Sequence, residues 1–166
     1  MGFTVYYQST KPVTEEFHPS IANDVTELRK GRSWVSCEPI HFYEFGPILR
    51  GGVKPNFAPN AFDIASAKSE GLPDGTIANV VAGLATLSKK YGIDWEFSHD
   101  HDPGPIGFIR NGIPESRLMS QIEAFGMMAG LLSDELDDEE FQSLLTDSAD
   151  DNQDDEPPHI LRFPGV

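Results

Sequence analysis

Phe3, Val5 and Tyr7 alternate with Thr4, Tyr6 and Gln8, a pattern that predicts a half-buried strand ended by Lys11-Pro12. Phe17, Ile21, Val25 and Leu28 then recur at helical spacing. Pro19 is unsuited to a helix interior, so the regular helix is expected from about residue 19 to Gly31, with Thr14 as a candidate cap and residues 14–18 as a turn. Residues 34–45 are aromatic and β-branched, and residues 48–54 follow Gly46-Pro47, which predicts two strands and a tight turn. Pro39 lacks a ladder donor, so the first of these strands is expected at an edge or bulged. Gly51-Gly52 marks a bulge or a close backbone approach.

Asn60 is placed to cap a helix over residues 61–70, with Asp63 three positions on and Gly71 as its stop. Ile77, Val80, Val81, Leu84 and Leu87 form one apolar stripe, closed by Lys89, Lys90 and Gly92. Ile93, Trp95, Phe97 and His99 share a strand face; a second strand is expected over residues 105–110. Asn111-Gly112 turns the chain, and Pro114 opens a helix with its seam at Leu118, Ile122, Phe125, Ala129 and Leu132. Gly126 and Gly130 read as a close-packing pair. The order β-α-β-β-α-α-β-β-α predicts an α+β fold. Its mixed or antiparallel sheet of about five strands carries helices on one face, as a ferredoxin-like core plus an extra strand and a C-terminal helix.

Charge divides the chain. Of 27 acidic residues, twelve lie between Ser133 and Pro158, where there is no Lys or Arg; elsewhere 15 acids face 12 bases. The expected organisation is one domain over residues 1–132 and an acidic C-terminal extension over 133–166. The extension carries a short amphipathic helix at Leu136, Phe141, Leu144 and Leu145 and an apolar end at Ile160, Leu161 and Phe163. An EF-hand does not fit it, since neither acidic register supplies the central Gly. Scattered bases argue against nucleic acid and against an anionic membrane surface. Cys37 is the only cysteine, so no intramolecular disulfide forms. With no signal-like start and no long apolar run, a cytoplasmic location is expected.

The densest chemistry is His99-Asp100-His101-Asp102, at the end of a strand. Imidazole and carboxylate suit Zn, Mn or Fe, with His41 on a neighbouring strand as a third ligand and Glu38 or Cys37 as further sources. A divalent metal is the one cofactor these residues suit, and the favoured expectation is that there is none. The same residues with Glu96 offer a proton-transfer pair, if burial moves their pKa values toward neutrality. Arg50 and Arg110 offer an anion clamp. A plainer reading competes: a Pro/Gly-containing turn uses Asp and His for its own hydrogen bonds, and His99 is a half-buried neighbour of the core. Cys37 and His41, four apart on a strand, stand ~13 Å apart, too far for direct activation. The phosphate-loop, G-x-S-x-G, H-E-x-x-H, G-x-G-x-x-G and zinc-deaminase signatures are missing.

The reading favours a binding protein over an enzyme. One sheet face is covered by helices; the other, with Tyr6, Gln8, Glu38 and Glu96, or else the acidic extension, is the expected surface for another protein or a second copy. Arg50, Arg110, Tyr6 and Glu38 are the expected ligand-binding residues. The alternatives are a metal-dependent or acid/base enzyme at His99–Asp102, and an acidic inhibitor that covers a basic partner surface.

Overall fold

The computed structural model describes residues 3–134, with side chains as far as Met127. Its elements in chain order are β1 (Val5–Ser9), a 3-10 turn (Glu15–Phe17), α1 (His18–Lys30), β2 (Phe42–Phe45), β3 (Leu49–Val53), α2 (Ala61–Glu70), α3 (Ile77–Tyr91), β4 (Trp95–His99), β5 (Asp102–Arg110), β6 (Ile113–Pro114) and α4 (Ser116–Asp134). The strands form one sheet in the order β2-β3-β1-β4-β5-β6, and every neighbouring pair is antiparallel. β1 and β2 both run against β3, so they are parallel to each other across it and joined by α1. That is the split β-α-β arrangement of a ferredoxin-like core, β2-β3-β1-β4, extended past β4 by the β5-β6 hairpin.

Alternation decides which face is covered. Val5, Tyr7 and Ser9 on β1 and Trp95 and Phe97 on β4 are buried against the helices, with Leu49 and Ile109 beside them. Val80, Val81, Leu84 and Leu87 of α3 supply the opposing stripe, and Leu118, Ile122 and Phe125 extend it along α4. The buried polar atoms of Trp95 and Tyr7 are paired. The Trp95 Nε1–H donates to the Leu84 carbonyl at 3.0 Å. The Tyr7 hydroxyl donates to the His41 carbonyl at 2.7 Å and accepts from the His41 N–H at 3.0 Å. Burial pushes the Tyr7 pKa well up, so the group stays a neutral donor.

Local signals account for several boundaries. Asn60 accepts from the Asp63 N–H at 2.8 Å, and Gly71 ends α2 with φ 69°. Thr76 and Asn79 form a reciprocal box at the start of α3. Thr14 makes no side-chain cap, and Phe17 occupies the position before α1.

Three expectations change. The strand expected over residues 34–45 is reduced to Phe42–Phe45, because the Asp74 carboxylate takes over the backbone before it. Asp74 accepts from the Val35 N–H at 2.8 Å and the Ser36 N–H at 3.1 Å, and also from the Ser36 hydroxyl. Only a single bridge, Cys37 to Pro55, remains of the pairing there. The sheet has six strands, since Asn111-Gly112, both at positive φ, make a hairpin turn into β6 that delays α4 to Ser116. A Cβ on Gly126 would meet nothing within 4 Å among the described residues; the surroundings of Gly130, and the helix and apolar end expected beyond residue 134, lie outside the described residues. No helix among the described residues is long and apolar enough to cross a membrane.

Candidate functional site

β4 ends where β1 begins, which brings the His-Asp stretch against Phe3. The His99 ring lies 5.3 Å from Phe3 and 6.2 Å from Phe125, on the helix-covered side. The His101 ring stacks on Phe3 at 5.6 Å and 9°. His99 and His101 are thus brought together, with ring centroids 6.3 Å apart. The His101 backbone N–H donates to His99 Nδ1 at 3.1 Å.

The two aspartates are bound to the backbone. Asp100 accepts from the Thr4 N–H at 2.8 Å and fastens the start of β1. Burial pushes its carboxyl up, but hydrogen bonds from Thr4 and from its own N–H, with the nearby His101, outweigh that and hold it below the ordinary value. Asp102 accepts from the Gly104 N–H at 3.1 Å and closes the turn. Glu96 is one residue out of phase with Phe97 and His99. It lies on the other face of the sheet, accepting from the Gln8 side-chain amide at 3.3 Å. Glu96 and His99 therefore form no proton-transfer pair in this arrangement.

His41 adjoins β2, three strand spacings from β4, which is ~14 Å at 4.8 Å per strand. Its ring packs on Tyr43 at 5.2 Å, and its Nδ1 lies 3.3 Å from the Pro39 carbonyl. The expected His99–His101–His41 ligand set is therefore not assembled, and no group of three or more His, Cys, Asp or Glu suited to a metal occurs among the described residues. The strand alternation that suggested the set was right for His99, but the sheet order separates it from His41. Cys37 is buried, and burial, with Glu38 and Asp74 nearby, pushes its thiol up to about 12. Glu38 lies outside any strand: its carboxylate accepts from the Lys54 N–H at 3.0 Å, and its own N–H donates to the Lys54 carbonyl.

The open face is built differently. Register aligns Glu44, Arg50, Gln8, Glu96 and Phe108 in one row across five strands, with Gly52, Tyr6 and Ser98 in the next. Between Phe42 and Glu44 the β2–β3 pairing slips, and Tyr43 is the extra residue. The bulge throws the Tyr43 ring over Gly52, where a side chain would collide with its hydroxyl and come within 3.0 Å of the Tyr6 ring. The result is a hollow of about 280 Å³ lined by Tyr6, Gln8, Tyr43, Arg50 and Ser98, with the glycine backbone of β3 as its floor. Burial raises the Tyr43 pKa, reinforced by Tyr6, Glu38 and Asp100, so its hydroxyl remains a donor. Arg50 and Arg110 share this face but stand three strand spacings apart, too far to clamp one small anion, and Arg110 pairs with Glu115 at 3.1 Å and lies over the Phe108 ring. Sequence reasoning placed Tyr6, Gln8 and Glu96 here and missed Tyr43, because simple alternation cannot register a bulge; the glycine pair was the available signal.

A second hollow, of about 550 Å³, is also lined by Phe3. Its walls are Phe3, Trp34, Pro55 and Phe57, with Glu38 and Lys54 at the rim. No family model, curated protein or solved structure matches this chain.

Proposed function

We propose that this chain is a binding protein that holds another protein, or a second copy of itself, on the open face of its sheet. The observation behind this reading is the convergence of Tyr6, Tyr43 and Arg50 around the backbone of Gly51, with the Tyr43 hydroxyl over the neighbouring Gly52. Tyr43, on the edge strand β2, and Tyr6, on β1, are 59% and 39% exposed. Tyr and Arg are the residues that dominate interface hot spots, since each joins a large rigid contact area to directional hydrogen bonding. Glu96, Glu44 and Arg110 give the face a mixed-sign rim that would select orientation.

The proton-transfer reading is less well supported, because Asp100 and Asp102 hold backbone N–H groups and Glu96 faces away. The test is photocrosslinking from inside the cell. A p-benzoyl-phenylalanine at position 43 should give a discrete protein adduct, and the same group at the exposed helix position Thr86 should not. An adduct of twice the chain's mass identifies a second copy. Equal, diffuse labelling from both positions would count against the open face as the binding surface.

A further inference from the structure

The open face is self-complementary in charge. In the row through Gln8 at its centre, the register places Arg50 of β3 on one side and Glu96 of β4 on the other. Glu44 of β2 lies outside Arg50, and Phe108 of β5 lies outside Glu96. The Arg110 guanidinium sits over the Phe108 ring at 4.3 Å. From β2 to β5 the row is therefore acid, base, amide, acid, base. Turned end for end, it sets every charge against its opposite. The Gln8 side-chain amide donates to Glu96 at 3.3 Å and holds that carboxylate toward β1. Neither Arg50 nor Glu96 belongs to an ion pair among the described residues, although Arg50 has Glu44 beside it on β2.

The next row repeats the asymmetry in size. Tyr6 is at its centre, the Tyr43 ring stands over Gly52 on the β3 side, and the small Ser98 is on the β4 side. One position further, Lys54 follows β3 and Asp100 follows β4, again base and acid on opposite sides of β1. Glu38, whose carboxylate accepts from the Lys54 N–H, partly offsets that base.

We propose that the partner of the open face is a second copy of this chain, related by a two-fold axis that runs along β1 between the two sheets. This deepens the open-face reading and rests on it. Such an axis exchanges the β3 and β4 sides. It sets Arg50 of each copy opposite Glu96 of the other, Gln8 opposite Gln8, and the Tyr43 ring opposite Ser98, where the least side chain meets it. Packed sheets cross at about 30°, which displaces a residue one strand from the axis by about 2.4 Å, within the reach of an arginine. Two strands out the displacement doubles, and Arg110 is already paired with Glu115 at 3.1 Å, so the two Arg50–Glu96 pairs carry the recognition. The net charge of −15 opposes self-association, but twelve of the acids lie between positions 133 and 158. At physiological salt a screening length of about 8 Å preserves contact pairs and mutes repulsion from distant segments.

The test is sedimentation equilibrium of the full chain at physiological salt, up to millimolar concentration. The unchanged chain should form a reversible dimer. Arg50→Glu and Glu96→Arg should each weaken it by a factor on the order of 100, because both ion pairs become like-charge pairs. An equimolar mixture of these two variants should form a one-to-one heterodimer, since each contact between them is again base against acid. The chain carrying both substitutions should dimerise as the unchanged chain does. A chain monomeric throughout would overturn the inference. So would a dimer that both single variants leave intact, or a mixture or doubly substituted chain that fails to associate. The photoreactive group at position 43 separates this inference from the open-face reading. An adduct with a different protein would overturn the second copy and keep the surface. Diffuse labelling alike from positions 43 and 86 would overturn both.

Discussion

Thr4 and Asp100 are 96 positions apart in sequence, and a 2.8 Å hydrogen bond from the Thr4 N–H to the Asp100 carboxylate joins them. This bond sets the start of β1 against the end of β4. It aligns Phe3 with His99 and His101 on one face and Tyr6 with Ser98 on the other. One carboxylate thus fixes the geometry of both surfaces at this end of the sheet.

Asp100→Asn should lower the unfolding free energy by about 1 kcal/mol, since it replaces a charge-assisted hydrogen bond by a neutral one. The measurement is urea unfolding at neutral pH, and a midpoint equal to that of the unchanged chain would contradict this role.

The pH dependence has a definite sign. In the folded chain Asp100 and Asp74 both titrate below their ordinary value, despite burial that pushes each up; bonds from Ser36, Val35 and Gly75 outweigh it at Asp74, as those from Thr4 do at Asp100. The stability they add is full above the unfolded carboxyl value of ~3.9. It is lost as the pH falls from there through the lower folded values. Urea midpoints between pH 7 and pH 3 should therefore fall more steeply for the unchanged chain than for Asp74→Asn with Asp100→Asn. Parallel curves would contradict the assignment.

Adjacent glycines should respond oppositely. A Cβ on Gly51 would strike the His41 backbone carbonyl and come within 2.5 Å of the buried Tyr7 ring. Neither can retreat, so Gly51→Ala should cost at least 1–3 kcal/mol by overpacking. A Cβ on Gly52 meets the far end of the exposed Tyr43 side chain, which can swing away. Gly52→Ala should leave thermal stability nearly unchanged while displacing Tyr43 from the hollow. Thermal melts separate the two, and equal losses would contradict the described floor.

Cys37, buried and with its thiol pushed up to about 12, should resist Ellman's reagent in the folded chain and react fully in denaturant. Rapid native labelling would place the thiol at the surface.

Much of this architecture is legible in the chain. Alternation in β1 and β4, the apolar stripe of α3, and the Asn60 and Gly71 boundaries of α2 are local signals, and local signals decide those elements. What was not legible depends on partners distant in sequence. The residues before Phe42 look like a strand, yet Asp74 captures the N–H groups of Val35 and Ser36 from a separate loop, and the Tyr7 hydroxyl takes that of His41. Asn111-Gly112 announced a turn, but a returning strand of only Ile113-Pro114 has no periodicity to read. The His-Asp loop showed its composition but not its bonding: both aspartates serve backbone N–H groups, and strand order, which no single strand encodes, keeps His41 away from His99. Tyr43 entered the candidate site through a bulge, which reverses the parity that sequence reading relies on.

The most direct test of the open-face account is whether Arg50→Glu abolishes the adduct formed by a photoreactive group at position 43. Arg50 is exposed, so reversing its charge leaves the core untouched. The account predicts loss of the adduct, as expected for a hot-spot arginine worth about 2 kcal/mol, roughly 30-fold in affinity, with folding unchanged. An undiminished adduct from the Arg50→Glu chain would contradict it.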